Sequence, residues 1–166
     1  MAKFNFDTED KTIQGRTTEQ QFVDAVLKRN PTSVVTKSTT QEDREEHFDF
    51  TVNGSRVDVK ARKNIGILNA GESQDQYTVL ELQDIVGKLG WVYGNSDYIA
   101  FEIDYFFLIC PRMDLVRYVE NHVTDEYVTD LNDCVNKKYQ RFSANDIITV
   151  VPFSDIQTKN TFIIKK

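Results

Sequence analysis

The chain has 166 residues, 40% hydrophobic and 28% charged, with a formal net charge of −6. Those values suit one soluble domain with a single sizeable core. The start, "MAKFNFDTEDK", has no apolar run of signal-peptide length and no segment approaches a membrane span, and the net acidity argues against a broadly electrostatic nucleic-acid binder. Cys110 and Cys134 form no CxxC pair, which predicts reduced thiols in a cytoplasmic protein. Two Cys and two His at these spacings do not suit a zinc site.

Residues 1–15 read as a flexible lead-in. The segment "TTEQQFVDAVLKRNP" predicts a helix, capped by Thr17 or Thr18 with Gln20 or Gln21 as the capping-box partner and ended by Pro31. Phe22, Val23, Val26 and Leu27 form its apolar stripe. Glu19 sits at the N-terminal end of that stripe, aimed at whatever the helix packs on or simply favouring the helix dipole. "SVVTKS" predicts a short strand, and "TTQEDREE" a polar loop.

"HFDFTVNGSRVDVKAR" then predicts a hairpin. Asn53-Gly54 between alternating runs signals a type I′ turn, which needs positive φ at both central residues. That turn sets Phe50 opposite Val57, Asp49 opposite Asp58, Phe48 opposite Val59 and His47 opposite Lys60. Alternation sends Phe48, Phe50, Val52, Val57 and Val59 to one face and Asp49, Arg56, Asp58 and Lys60 to the other. The polar face is either wet, as in many antiparallel sheets, or functional. Two aspartates directly opposed repel each other, and a hard cation such as Mg²⁺, which takes oxygen ligands, would remove the repulsion.

"NIGILNAGESQDQ" reads as a loop after the hairpin. "YTVLELQ" is β-like, although Leu80 breaks the expected alternation and leaves a short helix open. Gly87-Lys88 lacks the rest of a P-loop, and Trp91 reads as a packing residue. "YIAFEIDYFFLICP" predicts two strands turning near Ile103-Asp104. "MDLVRYVENHV" predicts a helix with Leu115, Val116, Val119 and Val123 on one face and His122 at the surface. A polar linker, a strand in "DIITVVPF" and an edge strand in "TFIIKK" complete the chain. The fold class is α+β, α/β/α-like, with a central mixed sheet flanked by helices. Basic residues gather between Lys28 and Lys63 and acidic ones between Glu120 and Asp133.

A helix with Glu19, a strand with Asp49 and a strand with Asp58-Val59-Lys60 together resemble, in order, the PD-(D/E)XK nuclease superfamily. "DVKARK" after "HFDF", "GWVYGNSDYIAFE" and "FFLICPR" also resemble small nuclease-like proteins of bacteriophages, so the likeness spans about residues 17–153. Phe48 stands where many members carry proline before the aspartate. The resemblance implies a restriction-endonuclease-like fold over residues 1–166 as a single domain, and a metal-dependent nuclease acting on DNA in the cytoplasm, a bacterial host's if phage-encoded. It also makes a homodimer plausible as the way to span a duplex.

The same resemblance implies roles residue by residue. Asp49, Asp58 and the Val59 carbonyl would bind Mg²⁺ or Mn²⁺, Lys60 would activate water and stabilise the phosphate, and Glu19 would hold a second metal or a metal-bound water. Arg56, Arg62, Lys63, His47 and Gln83 would contact nucleic acid. Two other readings compete: a catalytically silent nucleic-acid-binding module on the same fold, or an acidic accessory protein that binds a protein partner.

Overall fold

A computed structural model describes residues 8–63, 75–140 and 144–166. It is an α+β structure whose strands form two sheets, where the sequence suggested one central sheet. The chain divides into two compact units. None of the described helices is long and apolar enough to cross a membrane. The stretch 64–74 of the expected loop and residues 1–7 of the expected lead-in lie outside the described residues.

The first unit comprises Met1–Arg62, Asn95–Pro111 and Asn160–Lys166. It holds helix α1 (Thr8–Arg29), strand β1 (Val35–Lys37), helix α2 (Thr40–Glu46) and strands β2 (Phe50–Val52) and β3 (Ser55–Lys60). The second unit, Lys63–Gly94 and Arg112–Lys159, contributes β4 (Tyr77–Gln83). Strands β5 (Tyr98–Glu102) and β6 (Phe106–Pro111) return to the first unit. Helix α3 (Arg112–His122), β7 (Tyr127–Val128), β8 (Lys138–Gln140), β9 (Ile147–Pro152) and the short α4 (Phe153–Ile156) belong to the second, and β10 (Phe162–Lys165) to the first.

The first unit's sheet has the order β1-β2-β3-β5-β6-β10. Every pairing in it is antiparallel except β3 with β5, which run parallel with Asp58 beside Ile99 and Lys60 beside Phe101. β10 lies at the edge, as "TFIIKK" predicted. The last turn of α1 reaches that edge, where Arg29 donates to the Ile163 carbonyl at 2.7 Å.

Helix α1 starts well before its expected cap. Thr17 and Thr18 are interior to it, and Thr18 is buried at 3% exposure with its hydroxyl donating to Glu102. The buried stripe is Thr18, Phe22, Ala25 and Val26, spaced three and four apart as one helix face requires. Leu27, expected in the stripe, is 37% exposed. Phe22 packs on Phe50 and edge-on against Phe107, with centroids 6.0 and 5.4 Å apart. Val57, Val59, Ala100, Ile109 and Ile164 also belong to this core. Each fully buried large apolar side chain contributes roughly 1.5–3 kcal/mol.

The stretch read as a polar loop is helix α2. Its start is a capping box: the Thr39 hydroxyl accepts from the Glu42 N–H at 3.2 Å, and the Thr39 N–H donates to the Glu42 carboxylate at 2.7 Å. α2 buries no residue, so packing contributes little to its stability. Thr39→Ala is expected to cost about 1 kcal/mol and to speed hydrogen exchange at the amides of residues 43–46. Unchanged exchange there would refute a cap-dependent helix.

The second unit's sheet has the order β4-β9-β8-β7. β4 is a strand, with Thr78, Leu80 and Leu82 buried and Tyr77, Val79 and Glu81 half-buried. The alternation was therefore present but offset by one residue from the expected set. Trp91 is buried at 9% exposure. In α3, Leu115, Val116, Tyr118 and Val119 are buried and His122 is exposed; Val123 falls just beyond the helix. The polar linker after α3 includes β7 and β8, which pair in parallel.

Candidate active site

The hairpin supplies the site. Asn53 and Gly54 have φ of 50° and 87°, the two positive values a type I′ turn demands. The register follows: Phe50 pairs with Val57, Thr51 with Arg56 and Val52 with Ser55. The ladder stops there. The Asp49 N–H donates to the Val57 carbonyl at 2.9 Å, the same carbonyl group that lies opposite Phe50. On a continued ladder the Val59 N–H would meet the Phe48 carbonyl. It donates instead to the Asp49 carboxylate, at 2.7 Å.

The expected strand pairs Asp49–Asp58, Phe48–Val59 and His47–Lys60 therefore do not form. His47 ends α2 as its left-handed C-cap residue, with φ 55° and ψ 58°. That cap turns the chain out of strand geometry just before Phe48. Phe48 is buried at 4% exposure, with the Arg56 guanidinium 6.0 Å from its ring.

The two aspartates nonetheless come together. Asp49 is 7% exposed and Asp58 4%. Burial, reinforced by the Asp58 charge, pushes the Asp49 carboxyl up to about 7, against the Val59 N–H and the Lys60 charge. Burial likewise raises the Asp58 carboxyl, opposed by Lys60 and by a hydrogen bond with Asp49. Lys60 Nζ lies 3.0 Å from Asp58 Oδ2. That oxygen is fully buried, and the Lys60 ammonium beside it works against burial to favour the ionised carboxylate.

Glu19 lies near enough for its charge to be felt at Asp49, but its carboxylate is engaged by Lys37. Among the described residues, no three His, Cys, Asp or Glu side chains form a ligand group. Two buried carboxylates still suit a hard cation that keeps several waters, as Mg²⁺ does.

Most of the residues expected to contact nucleic acid have protein partners of their own. Arg56 pairs with Glu46 at 3.4 Å and Asp97 at 3.7 Å. Arg62 pairs with Asp104 at 3.5 Å, and its backbone N–H donates to Glu102 at 2.9 Å. Lys63 is exposed. Gln83 belongs to the second unit and donates to the Asn145 carbonyl at 2.6 Å.

Three residues near the site escaped the sequence reading. The Lys37 ammonium pairs with Glu19 and lies 4.6 Å from the Phe50 ring centroid. The Ser38 N–H donates to the Asp49 carbonyl at 2.8 Å, and its hydroxyl oxygen is buried without a partner. Glu102 takes hydrogen bonds from Thr18, the Arg62 N–H and Lys166. Burial works to raise the Glu102 carboxyl, but those bonds hold it below its ordinary range. The strand pattern of "SVVTKS" already put Lys37 in the sheet, but nothing in the sequence placed β1 beside β2.

Set against known proteins, the chain matches no family model, no curated sequence and no solved structure.

Proposed function

We propose that the protein is a divalent-cation-dependent nuclease that hydrolyses phosphodiester bonds of DNA. Asp49 and Asp58 would hold Mg²⁺ or Mn²⁺, with the Val59 carbonyl as a further ligand, and Lys60 would act on the scissile phosphate. The observation that carries this reading is the buried Asp49–Asp58 pair where β2 and β3 part. Desolvation and like-charge repulsion both destabilise such a pair. A hard cation offsets both, sharing the carboxylates with the Lys60 ammonium that already lies 3.0 Å from Asp58 Oδ2.

The cation supplies Lewis acidity and a bound water of lowered pKa. The chain's own residues do the rest. The Val59 N–H fixes the Asp49 carboxylate. Lys60, its side chain 24% exposed, keeps a positive charge beside the carboxylates while remaining open to solvent. A fixed ammonium there stabilises charge gathering on phosphate oxygens and orients the attacking water. The order of Glu19, Asp49 and Asp58-Val59-Lys60 resembles the PD-(D/E)XK arrangement and supports the same chemistry.

The test is a cleavage panel with Mg²⁺ or Mn²⁺ on supercoiled, linear, single-stranded and branched DNA and on RNA. Metal-dependent cutting of DNA, lost in Asp58→Ala and Lys60→Ala, is the expected result. Mn²⁺ binding without cutting of any substrate would leave the cation site standing and overturn the nuclease reading. Neither cutting nor calorimetric Mn²⁺ binding would overturn the reading of the aspartate pair.

A further inference from the structure

Glu19 is held by a residue that the resemblance does not assign. Lys37, the last residue of β1, pairs with the Glu19 carboxylate across from α1. Its ammonium also lies 4.6 Å from the centroid of the Phe50 ring, so a cation–π contact keeps it on the hairpin. The next residue ties the same strand end to the aspartate pair, because the Ser38 N–H donates to the Asp49 carbonyl at 2.8 Å. The end of β1 thus touches both the helix that carries Glu19 and the backbone that carries Asp49.

We propose that Lys37 is a positioning residue of this site: it restrains Glu19 away from the Asp49–Asp58 pair in the free protein and releases it when a nucleic-acid phosphate takes the Lys37 charge. The inference rests on the nuclease reading and adds to it a coupling between substrate and cation. Three features carry it. Glu19 is close enough for its charge to act on Asp49, yet its carboxylate is committed to Lys37. The Lys37 side chain is 54% exposed and that of Glu19 26%, so a phosphate from solvent can reach the ammonium. A pair so exposed is weak, worth about 1 kcal/mol or less, and a multiply charged phosphate backbone can compete for it.

The weakness also sets the size of the effect. Freeing Glu19 should tighten cation binding by up to about fivefold, the ratio that about 1 kcal/mol represents.

The test is Mn²⁺ titration calorimetry on the full chain without nucleic acid. Lys37→Met is expected to bind Mn²⁺ more tightly than wild type, by up to about fivefold. Adding Glu19→Gln to Lys37→Met should cancel the gain, and Lys37→Arg, which keeps the pair, should restore wild-type affinity. A cleavage-resistant phosphorothioate duplex should then tighten Mn²⁺ binding more in wild type than in Lys37→Met. Unchanged or weaker Mn²⁺ binding in Lys37→Met overturns the proposal. So does a gain that survives Glu19→Gln, because mere removal of a nearby positive charge would explain it. In each of those cases Mn²⁺ binding that Asp58→Asn abolishes leaves the cation site standing, whereas wild type that binds no Mn²⁺ overturns the site and the restraint together.

Discussion

Asp58→Asn is expected to stabilise the metal-free protein at pH 8 and to abolish Mn²⁺ binding. The sign follows from where the protons sit. Burial holds the Asp49 carboxyl at about 7 and raises that of Asp58, while the ordinary value is 3.8. Between those values the folded chain keeps protons that the unfolded chain has released. Stability is therefore greatest below about pH 4 for these groups and falls as pH rises through about 7, with a slope approaching ~1.4 kcal/mol per pH unit for each proton held.

Asparagine at 58 carries no charge, so the repulsion that helps raise Asp49 disappears and the slope becomes shallower. Urea denaturation of metal-free wild type and Asp58→Asn across about pH 5 to 8 reads this directly. A wild-type stability that rises over that range would contradict the buried pair. Added Mn²⁺ should stabilise wild type more at pH 8 than at pH 6, since binding selects the deprotonated carboxylates.

Lys60→Ala should separate catalysis from cation binding. If Lys60 acts on the phosphate, cleavage falls on the order of 10²–10³-fold, while Mn²⁺ binding is retained or tightened because a positive charge beside the ligands is gone. Asp58→Ala should lose both. The cost to the fold is bounded. Breaking a buried pair costs about 3–5 kcal/mol, but Lys60 is partly exposed, and Asp58 can take up a proton at acidic pH, so less than the full cost is expected. Lys60→Arg keeps the charge with a different shape and should recover stability more fully than rate. A Lys60→Ala variant that cuts DNA at the wild-type rate would remove Lys60 from the chemistry, leaving it as a structural counter-ion.

The hairpin was legible because its signals are local. Asn53-Gly54 fixes two backbone angles, and those angles fix the register of three residue pairs. The signal fades with distance from the turn. By Asp49 the left-handed cap at His47 governs the chain path, so the aspartates meet through a side chain bonded to the Val59 N–H and not as strand partners.

Helix α2 was also written locally, in the Thr39-x-x-Glu42 capping box, but an unbroken polar run with no apolar stripe hid it. Thr18 is not the cap of helix α1 because its hydroxyl is satisfied on Glu102, a residue 84 positions away. Lys37 escaped notice for the same reason, since its partner Glu19 lies on α1, a separate element earlier in the chain. The division of the strands into two sheets depends on which distant strands meet, and alternation within one strand carries no record of that.

The sheet of the first unit is drawn from three separated stretches of chain, and this dictates an order of assembly. The β2–β3 hairpin can close as soon as it is made, within microseconds. Its outer neighbour β5 arrives only after the chain has passed Glu102, and the parallel β3–β5 pairing must close a loop of intervening residues first. Until then the β3 edge beside Asp58 is open to water, where a carboxylate carries little desolvation cost. Full burial of the acid pair is therefore expected to come late, after the hairpin that first brings the two residues near each other.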